Sequence, residues 1–159
     1  MSAYQKITTF LLFGGNAEDA VNHCVSIVPD SKILRTTRYG AAGPAPAGSV
    51  MTMRFEMAGQ QFIALNGPSV PFTDAVSLMV DCDLQDEVDR LWDGLSASGH
   101  EGQCSWLKDQ FRLSWEIVPS AFIRMVQDPD PAKSQRVMKA MMQMKKLDIA
   151  ELERAHRGE

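Results

Sequence analysis

One order of elements occurs twice in this chain: a strand, a helix, then three strands. Strand side chains alternate between faces and helical ones return every three or four positions, so the two patterns are separable in the sequence. Ile7–Phe13 is an apolar run of strand type, broken by Gly14-Gly15. The spacing predicts a helix over Ala17–Ile27 that buries Ala20, Val21, Cys24 and Ile27. Asn16 is its expected N-cap, with Asp19 in a weak capping box. Strands follow at Lys32–Tyr39, Ser49–Met57 and Gln61–Asn66, the last two joined by a tight turn at Ala58-Gly59. Between them, residues 40–48 hold glycine, alanine and two prolines, which suits a surface loop or a flap.

The second pass starts with a strand at Ala75–Asp81. Asp83, with Asp86 behind it, is the expected cap of a helix over Leu84–Ala97 that buries Val88, Leu91, Trp92 and Leu95. Gly99 is placed to end that helix. Short strands near Glu101–Cys104 and Trp106–Lys108 lead to a strand at Leu113–Val118. There Leu113, Trp115 and Ile117 alternate with Ser114 and Glu116, so one face is packed and the other carries a carboxylate. The halves share element order rather than residues, which indicates a duplication.

A helical tail completes the chain. Asp130 before Pro131 starts a helix well, because proline at the first position has no N–H to leave unpaired. Val137, Met138, Met141, Met142 and Met144 are expected along one side, packed on the chain's own sheet or on a second subunit. Asp148 with Glu151 caps a last helix to about Ala155. The expected organisation is α+β: one domain over 1–159, βαβββ modules at about 5–67 and 74–120, and a tail at about 129–157.

Composition excludes some partners. The net charge of −4 argues against nucleic acid, and no apolar run is long enough for a membrane span. The start, Met1–Lys6, lacks a charged-then-apolar signal, so a cytoplasmic location is expected. Cys24, Cys82 and Cys104 lack metal-type spacing and suit free thiols. Residues 132–158 carry seven Lys/Arg against three Asp/Glu, a solvated face or one docked on an acidic surface.

Four stretches carry a family likeness: Gly14–Ala20 after the first strand, Gly48–Thr52 with Ala64–Gly67, Trp106–Asp109 with Leu113–Trp115, and Met141–Leu152. On these the chain resembles the vicinal oxygen chelate superfamily of glyoxalases, bleomycin-resistance proteins and extradiol dioxygenases. It is closer still to the PhnB-like branch labelled 3-demethylubiquinone 3-methyltransferase. The resemblance implies two modules whose sheets pair into a cup, holding a small molecule and, in many members, a divalent metal. It places the ligand positions near Thr9, Ala64, Ala75–Ser77 and Glu116. Of these, Glu116 alone is a donor that suits such an ion, so neither a metal nor another cofactor is expected. His23 falls in the first helix, His100 in a turn and His156 near the C-terminus. Nor does Gly14-Gly15 have the third glycine of a nucleotide-type turn, which speaks against the methyl-transfer label.

Glu116 is the candidate catalytic residue: a general base in an apolar cup, or a carboxylate held by neighbours. Trp106 is a stacking platform for a ligand or a core anchor. Ser49 and Asn66 sit at strand ends, where they orient a substrate or form turns. Lys108 and Asp109 suit an ion pair or a turn. The expected function is metal-independent binding of a small molecule by a homodimer, with modest acid–base chemistry at most. The alternatives are a metal-dependent lyase, isomerase or dioxygenase, and a non-enzymatic interaction module using the tail.

Overall fold

The computed structural model describes residues 5–159. The expectation for the first four residues lies outside that range. The chain divides into two compact units, one ending at Pro71 and the other starting at Phe72.

In the first unit, β1 (Thr9–Phe13), α1 (Ala17–Ile27), β2 (Ser31–Arg38), β3 (Val50–Met57) and β4 (Gln60–Asn66) form one βαβββ module. The sheet order is β1-β4-β3-β2, with β1 parallel to β4 and the other pairs antiparallel. Leu11, Phe13, Met53, Phe55, Phe62 and Ala64 are buried on one face, and α1 packs on that sheet with Ala17, Ala20, Val21 and Cys24. Phe55 and Phe62 stack with ring centres 5.3 Å apart. The β3–β4 turn is the predicted one: Ala58 and Gly59 both have positive φ (48° and 82°), as a two-residue turn between twisted strands requires.

Two expectations change here. Ile7 is 86% exposed and precedes β1, which starts at Thr9. Asn16 has the backbone position of a cap, yet its side chain makes no capping bond. The Ala17 N–H donates instead to Oδ1 of Asn66, at 2.9 Å.

The second unit repeats the topology with β5 (Leu78–Cys82), α2 (Gln85–Ser96), β6 (His100–Glu101), β7 (Trp106–Lys108) and β8 (Ser114–Pro119). Its order is β5-β8-β7-β6, again with a parallel first pair. Val88, Leu91, Trp92 and Leu95 of α2 are buried as predicted, with Leu107, Trp115 and Ile117 of the sheet. Each such side chain contributes about 1.5–3 kcal/mol.

Corrections concern the ends. β5 begins at Leu78, not Ala75, and β6 is confined to His100–Glu101. The cap of α2 is Leu84, without a side-chain bond; Glu87 reaches back to accept from the Asp83 N–H. The Asp83 carboxylate instead accepts from Ser120. Gly99 is not the left-handed residue after α2; Ser98 is, with φ 58°. Gly99 is required because a Cβ there would lie 2.1 Å from the Lys108 carbonyl oxygen.

Three helices follow: α3 (Ser120–Val126), α4 (Pro131–Met141) and α5 (Ile149–Arg157). The Asp130 and Asp148 caps are as predicted, accepting from the N–H groups of Ala132 and Glu151. The α3 helix is not among the expected elements, although Ala121, Phe122, Met125 and Val126 have helical spacing. Met125 joins Val137, Met144, Leu147 and Leu152 in a separate core, with Met141 against it. The expected methionine stripe therefore splits, since Met138 and Met142 are exposed.

The tail is fastened to its own unit. The Gln85 amide donates to the Leu147 carbonyl and accepts from the Ile149 N–H. The N–H groups of Cys104 and Ser105, both at positive φ, donate to the carbonyls of Met144 and Lys145. Lys146 pairs with Asp89 at 3.0 Å and Asp93 at 3.8 Å, so the basic tail does meet acidic groups on α2.

Candidate functional site

In the second unit, alternation along β8 puts Trp115 and Ile117 toward the helix and Ser114 and Glu116 on the opposite face, where Ser114 is buried and Glu116 half-buried; this is the open face only in being free of the helix. Trp115 is fixed from behind. Its indole N–H donates to Oδ2 of Asp109 at 3.0 Å, while Oδ1 accepts from the N–H groups of Phe111 and Leu113. Asp109 is thus a buried turn residue, one of the two roles expected of it.

Glu116 pairs in register with Met79 of β5 on one side and Trp106 of β7 on the other. Directly opposite residues share a face with Cβ atoms about 5 Å apart. The carboxylate accepts from the Ser77 hydroxyl at 2.6 Å. Two residue pairs further along, and so on the same face, Ser114 is matched with Lys108, which in turn is matched with His100. The Ser114 hydroxyl and the Lys108 ammonium both meet Oδ1 of Asp74, each at 2.9 Å. The Lys108 ammonium, then the Ser114 hydroxyl, hold the Asp74 carboxyl below the usual carboxylate range. Asp74, His100, Gly102, Trp106, Leu107, Lys108 and Ser114 line a cleft of about 460 Å³. His100 therefore lies on an edge strand lining a cleft, and not in a turn.

Ser49 and Asn66 belong to a different cleft, of about 440 Å³ in the first unit, with Gly14, Tyr39, Pro46 and Gly67. Their polar groups are occupied. Ser49 donates to the Pro46 carbonyl. Asn66 holds the start of α1 through Oδ1, donates through Nδ2 to the Val50 carbonyl, and accepts from the Tyr39 hydroxyl at its own carbonyl. Glu116 and Trp106 are thus neighbours in one unit, and Ser49 and Asn66 line a cleft in the other.

The positions implied for metal ligands do not make a site. Ala64 is fully buried, in register with Leu11 on the helix-covered face, and Thr9 shares that face. Around Glu116 the groups are a hydroxyl, a thioether and an indole. No group of three His, Cys, Asp or Glu suited to a metal occurs among the described residues. A divalent ion needs more donors than Glu116 and Ser77 supply, so the residues present do not fit one. Among the contributors to this face, Asp74 and Met79 escaped the sequence reading; Met79 had a signal, as an apolar residue in a short strand.

The family model for 3-demethylubiquinone-9 3-methyltransferase matches residues 5–118, both βαβββ modules. The chain belongs to this family. The PhnB protein of Bacillus cereus is similar at 33% identity and TM-score 0.67, over 73% of this chain and 100% of that one. Protein PA1353 of Pseudomonas aeruginosa shares the fold at 18% identity and TM-score 0.61, over 73% of this chain and 98% of its own. So does the fosfomycin resistance protein FosX of Listeria monocytogenes, solved with Mn(II) and sulfate, at 12% identity and TM-score 0.53, over 75% and 91%. No curated protein matches the chain at a significant level. This PhnB-like chain thus has the glyoxalase-like fold, and its helical tail follows the family match. No helix among the described residues is long and apolar enough to cross a membrane.

Proposed function

We propose that this PhnB-like protein binds a small organic molecule on the open face of its second sheet, without a resident metal, and that any chemistry there is proton transfer by Glu116. The observation that carries the reading is Glu116 itself. It is a carboxylate flanked by Met79 and Trp106, with one oxygen oriented by Ser77. Oriented carboxylates beside apolar walls are suited to binding and to acid–base work. The adjoining cleft, with Asp74, Lys108 and His100, supplies polar groups that fix a ligand's orientation.

The family name denotes methyl transfer. Sheet order and the Gly14-Gly15 turn give no support for a nucleotide-type donor site, since β1 enters a largely antiparallel sheet. Methyl transfer is therefore left out of the proposal.

The likeness to FosX supplies the ion to test. Metal analysis of protein purified without chelator should find less than stoichiometric metal, and Mn(II) should leave the thermal midpoint unchanged. A one-to-one transition metal, or a midpoint raised by several degrees on adding Mn(II), would overturn the metal-independent reading in favour of a metal-dependent enzyme.

A further inference from the structure

We infer that the molecule bound at this face is an organic cation, an amine or quaternary ammonium with a compact apolar body, seated against Trp106 and Glu116. The inference rests on the proposal that this face is a small-molecule site, and it names the class of ligand.

Charge on the face is the first argument. Lys108 is already matched by Asp74 at 2.9 Å, and Ser114 spends its hydroxyl on the same carboxylate. Glu116 receives a neutral donor, Ser77, and no ion pair forms to it among the described residues. The remaining nearby cation, Arg112, acts on Asp74, so the charge that lies between the two apolar walls without an ion pair is the negative one of Glu116.

The nature of those walls is the second argument. An indole presents a negative face that attracts cations. Met79, 56% exposed, adds a soft, polarisable thioether on the other side. A methylated or protonated amine satisfies all three groups at once. An anion would be repelled by Glu116 and would have to draw Lys108 away from Asp74. A neutral apolar ligand would strip water from the carboxylate and return nothing.

The test uses three compact probes of similar size: tetramethylammonium, tert-butanol and pivalate. Each is titrated into the full-length protein while the indole N–H resonance of Trp106 is followed by NMR. Tetramethylammonium should move that resonance and bind about tenfold or more tightly than tert-butanol, with pivalate weakest. Glu116→Gln keeps an acceptor for Ser77 and the shape of the site. It should bring tetramethylammonium down to the tert-butanol level and leave tert-butanol unaffected. If tert-butanol or pivalate binds at Trp106 as tightly as the cation, or Glu116→Gln leaves cation binding unchanged, the cation inference fails and the small-molecule site stands. If no probe moves the Trp106 resonance, the site falls and the inference with it.

Discussion

Asp109 shows how one residue in this chain fixes a strand. Its carboxylate is buried and accepts two backbone N–H groups and the Trp115 indole N–H. Removing it leaves those donors without their acceptor, so Asp109→Ala should cost about 3 kcal/mol, read from urea unfolding. Its place in a turn was legible from neighbouring residues, but its bond to Trp115 depends on the strand returning behind it. Asn66 is similar. It was readable as a strand end, and its capping of α1 was not, because its partner Ala17 is 49 positions away. Asn66→Ala should cost about 1 kcal/mol. Cys82 offers a pH prediction. Burial is the main cause that pushes its thiol up from 9.0 to about 12. A raised value means that the folded state disfavours the thiolate. The stabilisation is complete below pH 9 and is lost as pH rises toward 12. Unfolding free energies measured across that interval should fall in the parent and fall less in Cys82→Ala.

At the scale of elements, α1 and α2 were legible because burial writes a helical period into sequence, and the buried faces match it almost residue for residue. Their caps were not, because the first N–H of α1 is met by Asn66 from β4 and the cap position of α2 falls on Leu84, one residue after the aspartate that looks like a cap. The α3 helix was missed because β8 runs into it through Pro119 without an intervening loop. The fastening of the tail was equally hidden, since Gln85 is an ordinary residue in the first turn of α2. Gln85→Ala should loosen the tail, with faster hydrogen exchange at the Ile149 amide and about 1–2 kcal/mol lost overall. Acid should act the same way. The Gln85 amide, then the Lys146 ammonium, hold the Asp89 carboxyl below its ordinary 3.8. A lowered value gives stability that is present above that range and is lost as pH falls through the folded value. Exchange at Ile149 should therefore rise below about pH 4.

For the whole molecule, element order carried more information than any motif. Two βαβββ passes were enough to specify both modules and the buried face of each strand, whereas the parallel first pair of each sheet was not legible, because a side-chain period of two is the same in parallel and antiparallel strands. The candidate site was less legible. Glu116 and Trp106 were found together, since both belong to one alternating stretch of neighbouring strands. Ser49 and Asn66 were grouped with them by analogy of position, and their side chains are spent on local backbone. The tail belongs to the stability of the second unit, because Val137, Met144, Leu147 and Leu152 cover Met125. Deleting residues 129–159 should lower the thermal midpoint by roughly 10 °C, as the loss of several kcal/mol implies for a chain of this size.

The placement of the three indoles has an optical consequence. Trp92 and Trp115 are sealed in the core at 2% and 1% exposure, and Trp106 is half-buried on the open face. Emission from the first two should be blue and inaccessible to acrylamide. The red, quenchable part of the spectrum then comes from Trp106 alone. The protein carries its own dye at the place where a ligand is proposed to sit, and unlabelled material is enough to watch that place fill.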